Sequence, residues 1–374
     1  MRKKILIIAG TRPEAIKTVS VVRALRAFPD LFDARLCASG QHREMLAQAF
    51  ADFDMAPDIN LDVMTAGQTL SSLSARLFSA LDGLYAREEP DVVLVQGDTT
   101  TVQVAALAAF YRHIRVGHIE AGLRSHNMAA PFPEEMNRRI AGLTAAWHFA
   151  PTALARRNLL AENVPDETIL VTGNTVIDAL LWMRDLIDRE VPALPKPVEE
   201  ALAGGRRVIL VTGHRRESFG EGFQRICAAL LELARRFPDV RLVYPVHLNP
   251  KVRDVVHGLL AGSSGVILCE PLTYKPFVRL MAESRLILTD SGGIQEEGPS
   301  LGKPVLVMRD LTERPEGVEA GVNILVGTDT AVIVETASRL LHDADAYRAV
   351  ADIPNPYGDG RGGERIAAFL REQA

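Results

Sequence analysis

Short apolar runs alternate with longer amphipathic stretches along the whole chain. Several of the runs are nearly continuous in Val, Ile and Leu, which is typical of parallel strands that are covered on both faces. The stretches between them repeat their apolar positions every three to four residues, as amphipathic helices do. The alternation predicts α/β architecture in which right-handed crossovers connect parallel strands.

The pattern places the elements by residue number. Strands are predicted at 4–9, 33–38, 91–96, 115–119, 146–150, 168–171, 207–212, 241–245, 266–269, 286–289 and 304–308. Helices are predicted at about 15–27, 69–87, 100–111, 133–143, 153–162, 219–236, 274–282 and 330–342. The segment 188–206 is richer in Pro, Gly and Ala, and we interpret it as a peripheral segment near a domain junction.

The length of the chain indicates more than one core. At 374 residues it exceeds the size at which a single hydrophobic core usually stops growing. We therefore expect two α/β domains that face each other across a cleft. Because open α/β sheets bind ligands beyond the carboxyl ends of their strands, we look for chemistry in the loops that follow strands.

Composition and charge exclude several classes of protein. A net charge of −5 argues against a dedicated binder of nucleic acid or membrane surfaces. The three cysteines have no close spacing and an odd count, which is typical of reduced thiols in a cytosolic protein. The first apolar run is too short for a signal sequence, and no run reaches about 18 residues. We expect a cytoplasmic protein without a membrane span.

The segment after the predicted strand 286–289 carries the strongest chemical signal. Ser291, Gly292 and Gly293 come between that strand and a helix, where glycine lets a ligand approach the backbone and the helix N-terminus favours an anion. Glu297, one turn inside this helix, could bind the hydroxyl groups of a ribose, and Arg314 could pair with phosphate. The alternative is an ordinary tight turn, but the two charged residues favour a nucleotide site.

The segment after the first strand contains both helix-capping residues and cations that capping does not explain. Thr11 and Glu14 have the spacing of a capping box, so part of the motif is explained by helix initiation. Arg12 and Lys17 are not explained in this way, and two cations at a helix N-terminus favour an anionic ligand. No G-x-G-x-x-G follows a strand and no P-loop is present, so neither a nicotinamide or flavin dinucleotide nor P-loop ATPase chemistry is expected.

Three carboxylates stand out in the first half of the chain. Asp98 follows one predicted strand, Glu120 follows the next, and Glu134 begins a helix. Each has a local alternative, because Asp98 could cap a helix and glutamates are common in a first helical turn. All three would nevertheless converge on one face of the cleft, where clustered carboxylates raise one another's pKa toward the range useful for proton transfer.

The second half adds basic and aromatic candidates. His214, Arg215 and Arg216 follow a predicted strand and could hold a diphosphate, or could form a solvated basic loop. His247 is a weaker candidate that could simply support a helix start, and Phe277 could stack on a base or simply pack. The chain contains neither His-Glu-x-x-His nor Pro-Cys-x-x-Cys, so no catalytic metal is expected.

Taken together, these motifs resemble the non-hydrolysing UDP-N-acetylglucosamine 2-epimerases over nearly the whole chain. The resemblance implies the GT-B fold, in which two Rossmann-like domains face each other across a cleft and the last helix returns to the first domain. The domains would span residues 1–170 with 360–374, and 171–359. The matching segments are 10–17, 41–43, 97–101, 118–125, 131–139, 173–175, 213–218, 245–250, 290–297 and 314–316.

The resemblance also implies a reaction and a set of roles. UDP-GlcNAc and UDP-ManNAc would interconvert through a 2-acetamidoglucal intermediate without NAD or metal, supplying ManNAc-derived sugars for cell-surface polysaccharide. The acid/base set would be Asp98, Glu120 and Glu134, supported by Arg138 and His214. Substrate contacts would fall on Arg12, Lys17, Asp98, Glu120, His214, Phe277, Ser291, Gly292, Gly293, Glu297 and Arg314, with Leu272 offering only its backbone where some relatives have Gln.

Some relatives bind a second UDP-GlcNAc as an allosteric activator. The candidates for that site are Gln41, Gln68, Arg215 and His247, and a homodimer is expected from the family. Three alternatives use the same nucleotide site: a hydrolysing epimerase that releases free ManNAc, a GT-B glycosyltransferase, and an inactive UDP-sugar sensor. The sensor is disfavoured because the chain keeps all three carboxylates.

Overall fold

The computed structural model describes residues 2–40, 43–65 and 67–373. The chain forms two compact units, each a Rossmann-like α/β domain with a parallel sheet between layers of helices. Unit 1 comprises Met1–Ala179 and Tyr357–Ala374, and unit 2 comprises Leu180–Pro356.

Unit 1 contains a seven-stranded sheet in the order β3-β2-β1-β4-β5-β6-β7. The strands are β1 (Lys3–Ala9), β2 (Phe32–Ala38), β3 (Ile59–Asn60), β4 (Val92–Gln96), β5 (Arg115–Ile119), β6 (Trp147–Ala150) and β7 (Ile169–Val171). The helices are α1 (Arg12–Arg26), α2 (Arg43–Ala51), α3 (Leu70–Glu88), α4 (Thr100–Tyr111), α5 (Glu134–Thr144), α6 (Ala153–Ala161) and α7 (Thr175–Ile187), which ends in unit 2.

Unit 2 contains a six-stranded sheet in the order β10-β9-β8-β11-β12-β13. The strands are β8 (Arg207–Thr212), β9 (Val240–Pro245), β10 (Val266–Cys269), β11 (Leu286–Thr289), β12 (Val305–Val307) and β13 (Asn323–Leu325). The helices are α8 (Lys196–Ala203), α9 (Glu221–Arg236), α10 (Pro250–Leu260), α11 (Tyr274–Glu283), α12 (Gly292–Ser300), α13 (Pro315–Glu319), α14 (Thr330–His342) and α15 (Ala344–Ala351).

Each sheet has one point at which the strand order reverses. In unit 1, β1 lies between β2 and β4, so the loops after β1 and β4 leave toward opposite sides of the sheet. In unit 2 the reversal lies between β8 and β11, where the hydroxyl groups of Thr212 and Thr289 are 2.6 Å apart. Ligands of open α/β sheets bind at such reversal points, so the topology directs attention to the loops after these four strands.

The last helix, α16 (Gly362–Glu372), packs against α1 within unit 1, which confirms that the chain returns to the first domain. A Cβ atom at Gly363 would lie 2.8 Å from the carbonyl oxygen of Ser20, so only glycine permits this approach. The amide of Gly363 donates to Asp178 at 2.7 Å. Phe369 meets Trp147 and Phe149 of β6 edge-on.

The predicted strands all occur, most with ends shifted by one residue. The pattern missed β3 and β13, which have two and three residues. It also missed several helices, among them α8, which lies in the Pro-rich segment and buries Val198 and Ala201. In the part of the chain that the structure describes, no helix is long and apolar enough to cross a membrane.

Candidate active site

Glu120, directly after β5, is held at the carboxyl edge of the sheet of unit 1. Lys17 from α1 places its Nζ 2.7 Å from both carboxylate oxygens, and Gln96 at the end of β4 donates a further hydrogen bond. Glu120 is almost fully buried and has a φ of +65°, which is uncommon for any residue other than glycine. The left-handed backbone and two partners from different elements therefore fix the direction of this carboxylate.

Asp98 lies two residues beyond Gln96 and is held from α5. Arg138 donates to its carboxylate, and Asn137 donates to its backbone oxygen at 2.9 Å. The alternative that Asp98 caps α4 is wrong, because the N-cap is Thr99, whose Oγ1 accepts from the amide of Val102. Asp98 keeps 29% of its side chain exposed, so its carboxylate is both oriented and accessible.

The two glutamates that begin α5 differ in their surroundings. Glu135 is fully buried and accepts hydrogen bonds from the amide of Ser125 and from Arg139 and Arg138. Burial alone would raise the pKa of Glu135, but these partners hold it below its usual range. Glu134 has a buried Oε2 for which no described residue provides a hydrogen bond. It precedes Arg138 by four residues and so shares its helix face with the partner of Asp98.

Glu14 is a carboxylate that the sequence analysis assigned only to helix capping. The predicted capping box is present, since Glu14 accepts from the amide of Thr11 at 2.8 Å. It also accepts from the amide of Gly10 and from the hydroxyl group of Thr99. Burial raises the pKa of Glu14 to about 7 against the opposing effect of these hydrogen bonds. No local pattern signals this burial, because it arises from the loop after β4.

His118, within β5, has a structural role. Its Nε2 lies 2.8 Å from the carbonyl oxygen of Gly97, and its ring is buried. Burial lowers the pKa of His118 to about 4, so the ring is neutral near pH 7. The histidine therefore braces the loop that leads to Asp98.

In unit 2, the buried Asp290 organises the loop after β8. Its Oδ2 accepts from the backbone amides of His214 and Arg215, both at 2.7 Å, and its Oδ1 lies 3.4 Å from Nδ1 of His214. The ring of His214 stacks on that of His247, with centroids 5.1 Å apart. Burial lowers the pKa of His214, although the Asp290 carboxylate opposes this. Asp290 belongs to the matching segment 290–297, but the sequence analysis did not identify it as a site residue.

His247 also supports the start of α10, which was one of the two alternatives predicted for it. Its Nδ1 accepts from the amide of Asn249, and Asn249 is the N-cap of α10, where its side chain accepts from the amide of Lys251. The ring of His247 thus joins the start of α10 to His214.

The start of α12 is open to a ligand. Ser291 is the N-cap but makes no side-chain capping bond within the described part of the chain, so the first amides of the helix lack that acceptor. A Cβ atom at Gly292 would lie 3.9 Å from the guanidinium groups of Arg215 and Arg314. Two cations therefore flank the N-terminus of a helix that begins with Gly292 and Gly293, an arrangement suited to an anion.

Carboxylates hold the cations of this edge in place. Arg314 donates to the buried Glu296. Arg309, which the sequence analysis missed, is buried after β12 and donates to Glu217 at 2.6 Å, with Glu313 at 3.5 Å. These pairs tie the loop after β12 to the loop after β8.

The remaining candidates for nucleotide contacts lie on or near α11 and α12. Glu297 is buried and accepts a hydrogen bond from the hydroxyl group of Tyr274 at 2.8 Å, a partner that the sequence analysis did not single out. Phe277 on α11 and Leu272 just before it are half-buried. Glu297 lies inside α12, as predicted.

The predicted allosteric residues fall into separate places. Arg215 and His247 both lie beside His214 in unit 2. Gln68 belongs to unit 1, where its Oε1 accepts from Arg76 and from the amide of Thr65. Gln41 lies outside the described residues.

Arg12, a predicted substrate contact, is exposed at the start of α1. Among the residues that the structure describes, no three His, Cys, Asp or Glu side chains are grouped as metal ligands would be.

Known proteins are similar to this chain in both sequence and fold. The sequence model described as UDP-N-acetylglucosamine 2-epimerase matches residues 23–371. The UDP-N-acetylglucosamine 2-epimerase of Escherichia coli K12 is 52% identical over 374 residues, covering 98% of each chain.

Two solved structures extend the comparison. The UDP-GlcNAc 2-epimerase of Neisseria meningitidis, bound to UDP-GlcNAc, is 46% identical with a TM-score of 0.88, and the match covers 99% of this chain and 100% of that one. The Methanocaldococcus jannaschii enzyme, in complex with UDP-GlcNAc and UDP, is 32% identical with a TM-score of 0.79 over 99% of each chain. The resemblance inferred from the motifs is confirmed, and the chain belongs to the UDP-N-acetylglucosamine 2-epimerase family of isomerases.

Proposed function

We propose that the protein interconverts UDP-GlcNAc and UDP-ManNAc by eliminating UDP and adding it back through a 2-acetamidoglucal intermediate. The observation that carries this proposal is the grouping of Asp98, Glu120 and Glu134 around the carboxyl edge of one sheet, where Lys17 and Arg138 hold two of them in place. The relatives named for this activity support the same substrate.

Unit 2 binds the UDP portion in this proposal. The diphosphate lies at the open N-terminus of α12, where Ser291, Gly292 and Gly293 offer amides and Arg314 and His214 add side chains. Glu297 accepts from the ribose hydroxyl groups, and Phe277 lies against the base. Cationic and hydrogen-bonding groups at the diphosphate stabilise UDP as it leaves C1 and retain it for re-addition.

Unit 1 supplies proton transfer and charge stabilisation at the sugar. The C2 hydrogen is not adjacent to a carbonyl group, so it becomes acidic only as the C1–O bond breaks and positive charge develops at C1. Carboxylates near C1 and C2 stabilise that charge and move the proton. Inversion at C2 requires proton access to both faces of the ring, and hence more than one carboxyl group. Glu134, with an oxygen that no described residue bonds, is suited to accept or donate a proton.

The mechanism is tested by incubating purified protein with UDP-GlcNAc in D₂O. Both epimers should appear as UDP-sugars, with deuterium at C2. Epimers without deuterium at C2 would refute the proton-transfer mechanism. Release of free ManNAc in place of UDP-ManNAc would establish the hydrolysing reaction, in which UDP does not return to C1.

The proposed product, UDP-ManNAc, is a precursor of sugars for cell-surface polysaccharide.

A second UDP-GlcNAc regulates the enzyme in the same proposal. Arg215 and His247 lie beside His214, next to the proposed diphosphate site, and the Methanocaldococcus jannaschii protein has both UDP-GlcNAc and UDP bound. Gln41 and Gln68 complete the proposed set. Epimerisation of UDP-ManNAc should accelerate when traces of UDP-GlcNAc are added, and Arg215→Ala should abolish that acceleration. An unchanged response in the variant would remove Arg215 from the regulatory site.

A homodimer is the proposed assembly. The C-terminal ends of α4 and α5, two helices that pack together, expose Phe110, Tyr111 and Leu143, and Leu143 is 85% exposed. Large apolar side chains grouped on a surface are typical of a protein interface. Light scattering should give twice the mass of the 40.8 kDa chain, and a change of all three residues to Ser should give the monomer.

A further inference from the structure

Glu14 makes more contacts than a capping residue needs. In a capping box the side chain of the N3 glutamate accepts one hydrogen bond, here from the amide of Thr11. Glu14 is only 2% exposed, and it also accepts from the amide of Gly10 on one side and from the hydroxyl group of Thr99 on the other. Two backbone amides and one hydroxyl group therefore converge on a single carboxylate.

These contacts join two loops that leave the sheet in different directions. Gly10 and Thr11 form the loop after β1, which leads directly to Arg12, the first residue of α1. Thr99 belongs to the loop after β4 and directly follows Asp98. The two strands are neighbours at the point where the strand order reverses. The carboxylate of Glu14 is thus a cross-link between the loops on either side of the reversal point.

The packing around the cross-link leaves little freedom. A Cβ atom at Gly10 would lie 2.9 Å from Oγ of Ser39, and the hydroxyl groups of Ser39 and Thr101 are 3.2 Å apart. The end of β1, the end of β2 and the start of α4 are therefore closely interlocked. Asp98 is held on its other side by Arg138 and Asn137 of α5.

We propose that Glu14 is a positioning residue for the epimerase reaction: through Thr99 it fixes the backbone of Asp98 against α1, opposite to the restraint from α5. This inference rests on the proposed function, in which Asp98 belongs to the acid/base set. A carboxylate suits the position because its two oxygens accept all three donors. A glutamine could keep its oxygen on the two backbone amides, but its NH2 group would have to donate to the hydroxyl group of Thr99, which already accepts from the amide of Val102. The hydrogen bond between Glu14 and Thr99 would thus be reversed.

The test compares Glu14→Gln and Thr99→Val with the conservative Thr99→Ser, which keeps the hydroxyl group. A misplacement of about 1 Å in a catalytic group lowers turnover by about 10²-fold. We therefore expect kcat of Glu14→Gln and Thr99→Val to fall about 10- to 100-fold. KM for UDP-GlcNAc and Kd for UDP should stay within about twofold, and Thr99→Ser should restore most of kcat.

Thr152→Val is the matched control. Thr152 is a buried threonine that caps α6, as Thr99 caps α4, and it accepts from the amide of Ala155 at 3.1 Å. Its substitution should lower the melting temperature as Thr99→Val does and leave kcat unchanged. An equal loss of kcat in the control would reduce the effect of Thr99 to general destabilisation and overturn the proposal.

Two further results would overturn it. One is a kcat within twofold of wild type in folded Glu14→Gln and Thr99→Val. The other is a Thr99→Ser variant as slow as Thr99→Val. If Glu14→Gln does not fold, the Thr99 pair decides the question. If wild type itself does not epimerise UDP-GlcNAc, the proposed function fails and the inference fails with it. Unchanged variants of an active wild type refute the inference alone.

Discussion

The carboxyl edges of the two sheets are built alike but use their charged residues differently. Both follow parallel strands at a point where the strand order reverses. In unit 1 the edge presents carboxylates that cations hold, as Lys17 holds Glu120. In unit 2 it presents guanidinium groups that carboxylates hold, as Glu296 holds Arg314. The shared fold therefore supplies only the scaffold, and the residues after each strand assign each edge its chemistry.

The helix N-termini at the two edges differ in the same sense. In unit 1, Glu14 accepts from the amides that precede α1, and Thr99 caps α4, so protein side chains already serve as acceptors. In unit 2, α12 begins with glycines, and in the described structure Ser291 forms no such cap. At the edge of unit 1, side chains of the protein already accept from the backbone amides. At the edge of unit 2, the backbone amides at the start of α12 remain as donors for an anionic ligand. Substitutions at the two edges should therefore affect different steps.

The largest effect is expected from Asp98→Asn in unit 1. The amide keeps the size of the side chain but cannot exchange a proton, so kcat should fall by about 10³-fold or more. The affinity for UDP should change by less than about threefold in calorimetry. Asp82→Asn, at an exposed aspartate on α3 paired with Arg112, is the control and should be fully active. Turnover of Asp98→Asn near the wild-type level would remove Asp98 from the acid/base set.

A smaller effect is expected from Arg314→Lys in unit 2. Lysine keeps a positive charge near Glu296 but loses the planar fork that binds two phosphate oxygens. The Kd for UDP should rise about tenfold, and kcat at saturating UDP-GlcNAc should fall less than Kd rises. Arg253→Lys, at an exposed ion pair with Glu270, is the matched control. A variant with normal UDP affinity and lost turnover would contradict the separation of binding from proton transfer.

His118, which is buried in the sheet of unit 1, should make the free energy of unfolding depend on pH. Its pKa is about 4 in the folded protein and about 6.5 in the unfolded chain. The unfolded state therefore binds more protons between these values, and the histidine costs stability as pH falls from about 6.5 toward 4.

Between pH 7.5 and pH 5.0, wild type should lose about 2 kcal/mol of unfolding free energy relative to His118→Gln. The comparison with the variant is needed because buried carboxyl groups such as Glu14, whose raised pKa acts with the opposite sign, contribute equally to both proteins. Urea titrations at the two pH values give the difference. The exposed His113→Asn is the control variant. A pH-independent difference between wild type and His118→Gln would mean that the pKa of His118 is the same in the folded and unfolded states.

The smallest effect is expected from Asn249→Ala in unit 2. Loss of the N-cap of α10 should cost about 1 kcal/mol in thermal unfolding. Its effect on UDP affinity should remain below about threefold, because His247 keeps its ring contact with His214. A tenfold loss of affinity would show that the cap of α10 positions His214.

The sequence predicted most of the strands and the alternation of strands with helices. Strands such as β5 and β8 and helices such as α4 and α14 occur at the predicted residues, because their apolar periods extend over enough positions. The strands β3 and β13, which pair with β2 and β12, were not predicted. Helices α7 and α10 were missed as well, although both bury apolar residues.

The candidate site was predictable in its parts but not in its connections. Motifs after the strands identified Asp98, Glu120, Ser291 and Arg314. The partners Gln96, Asp290 and Arg309, and the second role of Glu14, were not identified, because each depends on a residue far along the chain. The local alternative that Asp98 caps α4 was wrong, because the N-cap of this helix is Thr99.

The sequence by itself determined the fold class, the family and the kinds of side chain that follow each strand. These depend on local periodicity and on residue order, which the chain carries directly. Only the tertiary structure decided which carboxylate faces which cation and that Glu14 is buried across two loops. It also showed that, among the described residues, the side chain of Ser291 does not cap α12. Such features arise when strands 80 or more positions apart, such as β1 and β4, become neighbours in a sheet, and no local pattern encodes that proximity.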